Sequence, residues 1–165
     1  MRTLYEASIW APGTIPVEEW KYRNLKRVMF PAVDVLLILG GFSAARYGIP
    51  AISEFYPDLF VDIFAYVMSF CALVALVGVS FPRLWAVEIA GKAAVFGLIV
   101  GYITSLFILT LEDKGDSDSR GFVLIIAMIA VCPIVWRLSL LGSEWQARVL
   151  ARKAAARNAK AELGE

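Results

Sequence analysis

The sequence predicts an all-α integral membrane protein: a bundle of four transmembrane helices, preceded by an amphipathic helix at the membrane interface and followed by a cytoplasmic helix. Three observations carry this. Of 165 residues, 59% are hydrophobic and the mean hydropathy is +0.68, above the apolar share of an ordinary soluble domain. The charged residues gather before residue 30, in short breaks and after residue 143 instead of recurring at helical spacing, so the middle of the chain lacks the polar face of a soluble helix. Between those charges lie four mostly apolar stretches, each long enough for the ~20 residues that a spanning helix needs.

The elements follow in order. The opening MRTLYEASIWAPGT has aromatic residues but no period, and Pro12-Gly13 breaks it; it is expected to fold onto the bundle or a partner. PVEEWKYRNLKRVMF places Pro16 in a first helical turn, acids early and bases late, as the helix dipole favours. Val17, Trp20, Asn24 or Leu25, and Val28 fall near one face, which predicts a helix lying on the membrane surface within a segment 1–29. Span one covers 30–49. A cleaved signal peptide competes for it, with SAA at Ser43–Ala45 as the small-residue site. The polar residues ahead of it and Asp34 inside it argue against cleavage. Pro50 and Pro57 separate it from span two, 59–81; Pro82-Arg83 separates that from span three, 84–111. The stretch EDKGDSDSR precedes span four, 121–142, in which Pro133 removes one backbone bond and is expected to bend the helix. Short connections favour an antiparallel four-span domain over 30–142. The basic, Ala-rich tail 143–165 is expected to stay helical, its cations near anionic lipid headgroups.

Flanking charge sets the expected orientation. Arg23, Lys26 and Arg27 precede span one, Arg83 joins spans two and three, and Arg137, Arg148, Arg152 and Lys153 end or follow span four. The other two loops are acidic on balance. Basic flanks stay inside, so both termini are expected in the cytoplasm, as an even number of spans also requires. A bacterial or phage-encoded inner-membrane protein is the expected setting.

Six ionisable residues lie inside these spans. At ~1.5 Å of rise per residue, Asp34, Glu88, Lys92 and Arg137 fall at one depth on the cytoplasmic side, and their formal charges cancel. Arg46 and Asp62 match in depth near the outer side and also cancel. A central charge costs roughly 2.5–3.5 kcal/mol on insertion scales. Long cationic side chains can reach the interface and short carboxylates cannot, so Asp34 and Glu88 are the informative pair. The structural reading has them pair with Lys92 and Arg137 and fix the packing. The alternatives are a proton or ion path through the cytoplasmic half, and snorkelling without specific pairs.

Small residues mark where helices approach closely in lipid. Span three carries a GxxxG at Gly97 and Gly101, extended by Ala90 and Ala94; span one has Gly40/Ala44 and Gly41/Ala45. Packing within the chain is the expected use of these faces, with self-association through span three as the alternative.

The composition narrows the function classes. There is no histidine, and Cys71 and Cys132 stand far apart inside apolar runs, so no metal spacing and no cofactor are expected. The net charge of +1 shows no nucleic-acid footprint. No phosphate loop, nucleophile with a base, or internal repeat is evident. The leading expectation is a non-enzymatic membrane protein acting by association, as an accessory or assembly partner in a homo-oligomer or larger complex. The alternative is a holin-like or channel-like oligomer that alters permeability. A membrane-embedded enzyme using Asp34 and Glu88 is a third, weaker reading.

Overall fold

Each apolar stretch forms a helix in the structure, a computed structural model that describes residues 5–15, 22–49, 53, 56–111 and 117–162. The helices are α1 (Phe30–Tyr47), α2 (Asp58–Ser80), α3 (Trp85–Leu111) and α4 (Ser117–Glu162). Four segments, Leu25–Tyr47, Asp58–Ser80, Pro82–Leu111 and Gly121–Gln146, are long and apolar enough to cross a membrane. The chain is thus a multi-pass helical membrane protein, and no strand occurs among the described residues.

The starts and stops have local causes. A π-helical turn at Leu25–Met29 leads into α1 without a break. Pro31 lies in the first turn of α1; its ring would crowd the carbonyl of Arg27 four residues back, and it has no N–H to offer that carbonyl. The widened turn relieves the crowding. The orphaned carbonyl is satisfied from outside the helix, because the Trp10 indole N–H donates to it at 3.2 Å. α1 stops at Gly48, whose φ of 78° is left-handed and suits glycine. Phe81 turns extended after α2, and a single 3-10 turn, Pro82–Leu84, reverses the chain into α3. The predicted surface helix over 16–29 lies outside the described residues at 16–21, and the remainder, 22–29, is helical and continuous with α1.

Consecutive helices pack side by side, while α1 and α4 share a much smaller contact. The end of the bundle where the chain enters α1 and reverses between α2 and α3 is called proximal, and the opposite end distal. Mid-bundle, Ala72, Val95, Ile99 and Ile134 are buried together, flanked by Leu37, Ile38, Met68 and Val131. No charged residue contributes to this layer.

Two pairs of helices touch backbone to backbone. A Cβ on Gly41 of α1 would lie 2.8 Å from the Ala65 carbonyl oxygen of α2. A Cβ on Gly78 of α2 would overlap the backbone of Glu88, and one on Gly91 of α3 would lie 2.7 Å from the Ala75 nitrogen. These contacts hold α2 against α3 at the proximal end.

The segment 5–15 folds back over that end. The Ile9 N–H donates to the Ser80 carbonyl at 2.9 Å. The Arg27 guanidinium donates to the carbonyls of Ile9 and Ala11, each at 3.0 Å. Ile9, Ala11 and Ile15 are buried by this docking. The segment and Arg27 therefore hold each other, the Trp10 indole bonding the Arg27 carbonyl and the Arg27 guanidinium bonding the carbonyls on either side of Trp10.

Candidate functional site: a buried ionic cluster at the proximal end

Four helical positions bring opposite charges into the bundle. Asp34 stands one turn into α1, Glu88 one turn into α3, Lys92 one turn further, and Arg137 in α4. All four are buried, none more than 4% exposed. Glu88 and Lys92 share a helix face at i, i+4, yet each turns to a different helix. Lys92 Nζ donates to Asp34 Oδ1 at 2.7 Å and to Oδ2 at 3.0 Å. Arg137 grips Glu88 with two nitrogens, Nη2 reaching Oε2 at 2.8 Å and Nε reaching Oε1, the bidentate geometry that favours arginine. The pairs thus tie α1 to α3 and α3 to α4.

A second tier continues the cluster outward. Lys26 Nζ donates to Glu144 Oε1 at 2.6 Å, and that oxygen lies 3.6 Å from Arg137 Nη1. The Phe30 ring sits under the guanidinium of Arg137, with its centroid 5.0 Å from Cζ, a favourable cation–π placement. The six charges alternate in sign and cancel: Asp34, Glu88 and Glu144 against Lys92, Arg137 and Lys26. The sequence reading took Lys26 only as a basic flank and did not single out Glu144. Their signal was present, since Lys26, Phe30 and Asp34 recur at four-residue spacing, as do Arg137 and Leu141, with Glu144 one turn further on.

Gly78 positions Glu88. Because a Cβ there would overlap the Glu88 backbone, only glycine lets the start of α3 lie close enough to α2 to bury this carboxylate.

The other residues singled out are placed differently. Arg46 is exposed and lies over the ring of its neighbour Tyr47, 6.0 Å from the centroid. No ion pair joins it to Asp62 among the described residues; the two match in depth but not in direction around their helices. Gly41 packs against α2, whereas Gly40, Gly97 and Gly101 have open space where a Cβ would stand. The expectation that Gly97 and Gly101 pack within the chain is therefore corrected. The buried face of α3 runs through Glu88, Gly91, Lys92, Val95 and Ile99. At 100° per residue, the face holding Ala90, Ala94, Gly97 and Gly101 points the opposite way.

Among the described residues, the cluster pairs its charges with one another. Every carboxylate in it accepts from a cation, and the apolar mid-bundle layer lies directly distal to it. Among the described residues no group of histidine, cysteine or acidic side chains is arranged to hold a metal ion. No protein-family model, curated protein or solved structure matches the chain.

Proposed function

We propose that the chain is a non-enzymatic membrane protein that works by association, as an accessory or assembly partner, with its proximal end and both termini in the cytoplasm. One observation carries this reading. The small-residue face of α3, Ala90, Ala94, Gly97 and Gly101, is left open by the chain's own helices. Small residues in lipid stabilise contacts by letting backbones approach, and a face of this kind turned outward suits another transmembrane helix. The basic residues Arg23, Arg27 and Arg83 sit at the proximal end, which supports a cytoplasmic placement.

The pairing of Asp34 with Lys92 and of Glu88 with Arg137 supports a structural role for the buried charges. Water would meet no polar wall in the mid-bundle layer, so a permeability protein built from this chain would need several copies, joined through the same face of α3. Reconstitution separates the two readings. Purified protein in liposomes is expected to pass neither dye nor ions at any protein-to-lipid ratio. Cross-linking through α3 to a partner or a second copy is expected to disappear in Gly97→Ile/Gly101→Ile. Leakage that grows with protein concentration and vanishes in that double variant selects the holin-like or channel-like reading instead.

A further inference from the structure

Between α1, α2 and α3, in the distal half of the bundle, lies a groove of about 220 Å³, lined by Gly40, Gly41, Ala44, Phe64, Met68 and Tyr102 among others. Gly40 and Tyr102 stand about 10 Å and about 13 Å short of the distal ends of their helices, so the groove lies within the membrane-crossing segments and not at their edge. It is larger than the roughly 150 Å³ apolar cavities that stay dry and take up a benzene ring. Glycine makes the space: a Cβ on Gly41 would strike α2, whereas one on Gly40 would meet nothing within 4 Å. Among the described lining residues only Tyr102 carries a side-chain hydrogen-bond donor. Nothing bonds its hydroxyl among the described residues, and its oxygen, unlike Nη1 of Arg137, retains accessible surface. A phenol without an acceptor is costly in hydrocarbon, where tyrosine normally finds a partner.

The neighbouring aromatic side chains set the shape of what can supply that acceptor. Tyr56, Phe60 and Phe64 recur at four-residue spacing. Their rings stack, with centroids 4.8 Å apart and planes at 25° in the first pair, and 6.5 Å apart and at 30° in the second. Tyr56 and Phe60 are exposed, and Phe64 forms one wall of the groove. The ladder therefore runs from the distal end of α2 into the groove, and another flat ring would continue it by offset stacking. An acyl chain would fill the space and leave Tyr102 unpaired. A charged headgroup would carry its charge into hydrocarbon, with no cation among the described walls to meet it. A neutral, flat, apolar ring that bears a carbonyl satisfies the space, the ladder and the phenol together.

We propose that this groove binds the head of a membrane-dissolved quinone, its ring against Phe64 and over Gly40, with a carbonyl accepting from Tyr102. The full chain is purified and placed in phosphatidylcholine nanodiscs with decylubiquinone or with decylbenzene, which has a ring and a tail but no carbonyl, and the ligand retained per chain is read by native mass spectrometry. Wild type is expected to keep decylubiquinone about tenfold over decylbenzene. Tyr102→Phe is expected to remove most of that preference, the order of effect of one hydrogen bond in hydrocarbon. Gly40→Leu fills the groove and is expected to abolish retention of both ligands while the protein still melts cooperatively, since nothing stands where its Cβ would go. Ala44→Leu fills the same space and gives the same reading if Gly40→Leu does not fold. Equal retention of the two ligands by wild type means that the groove takes up only hydrocarbon, and retention of neither means that it takes up no ring at all. Either result overturns the proposal, as does a preference that survives Tyr102→Phe or both filling variants.

Discussion

Asp34 and Lys92 each carry a charge that neither can take to water, and each is tolerated because the other is 2.7 Å away. Such a pair adds little net stability against apolar residues of similar size, but removing one partner strands the other, at about 3–5 kcal/mol. Asp34→Asn is therefore expected to lower the unfolding free energy in detergent by that order. Asp34→Asn with Lys92→Met is expected to recover most of the loss, and Arg46→Gln to change it by less than about 0.5 kcal/mol. Equal losses for Asp34→Asn and Arg46→Gln would contradict the geometry. Trp10 offers a second test at this scale. Trp10→Phe removes the donor to the Arg27 carbonyl and is expected to cost about 1 kcal/mol. In a Pro31→Ala background the helix regains its own N–H for that carbonyl, so the same change is expected to cost less; additive losses would reject this account of the π turn. The depth of Asp34, Glu88, Lys92 and Arg137 was legible from residue counts. Which carboxylate meets which cation was not, because pairing depends on rotation about each helix axis and on the neighbour it faces. Arg46 and Asp62 show the limit, with equal depth and no contact.

At the scale of the element, α3 carries two faces that sequence reading weighed alike. Glu88 and Lys92 define one and Gly97 and Gly101 the other, and they lie on opposite sides of one helix. Both were visible as spacings, and combining them would have shown that they cannot both point inward. The glycines that do mediate close contact, Gly41, Gly78 and Gly91, sit where a Cβ would strike another helix. Gly78→Ala is expected to cost at least ~1–3 kcal/mol, since backbone rather than a flexible side chain must move. Gly97→Ala is expected to be neutral, or to stabilise by up to about 1 kcal/mol through helix propensity. Thermal unfolding of the two variants in one detergent decides, and a larger loss from Gly97→Ala would place the buried face of α3 wrongly.

For the whole molecule, the four spans were readable because lipid forbids the polar interruptions that blur soluble helices. That the opening segment folds onto the bundle or a partner was expected; its seat was not legible, since it rests on backbone carbonyls of Ile9, Ala11 and Ser80 that no side-chain pattern announces. With the proximal end in the cytoplasm, a cysteine placed at Ser117 is expected to react with an impermeant reagent from outside. One placed at the C-terminus is expected to react only after the membrane is opened; the reverse pattern would invert the proposed topology. The 46-residue α4 has a mechanical consequence. At ~1.5 Å per residue it is a rod of roughly 69 Å, more than twice the ~30 Å of hydrocarbon, so the helix runs on about 24 Å past Gln146, where the segment apolar enough to cross a membrane ends. The rod is gripped near its waist by Glu88 and Lys26, at Arg137 and Glu144. A tilt of about 10° around that grip would sweep the far tip through about 5 Å, so a change of fit inside the membrane becomes a lateral stroke in the water beyond it.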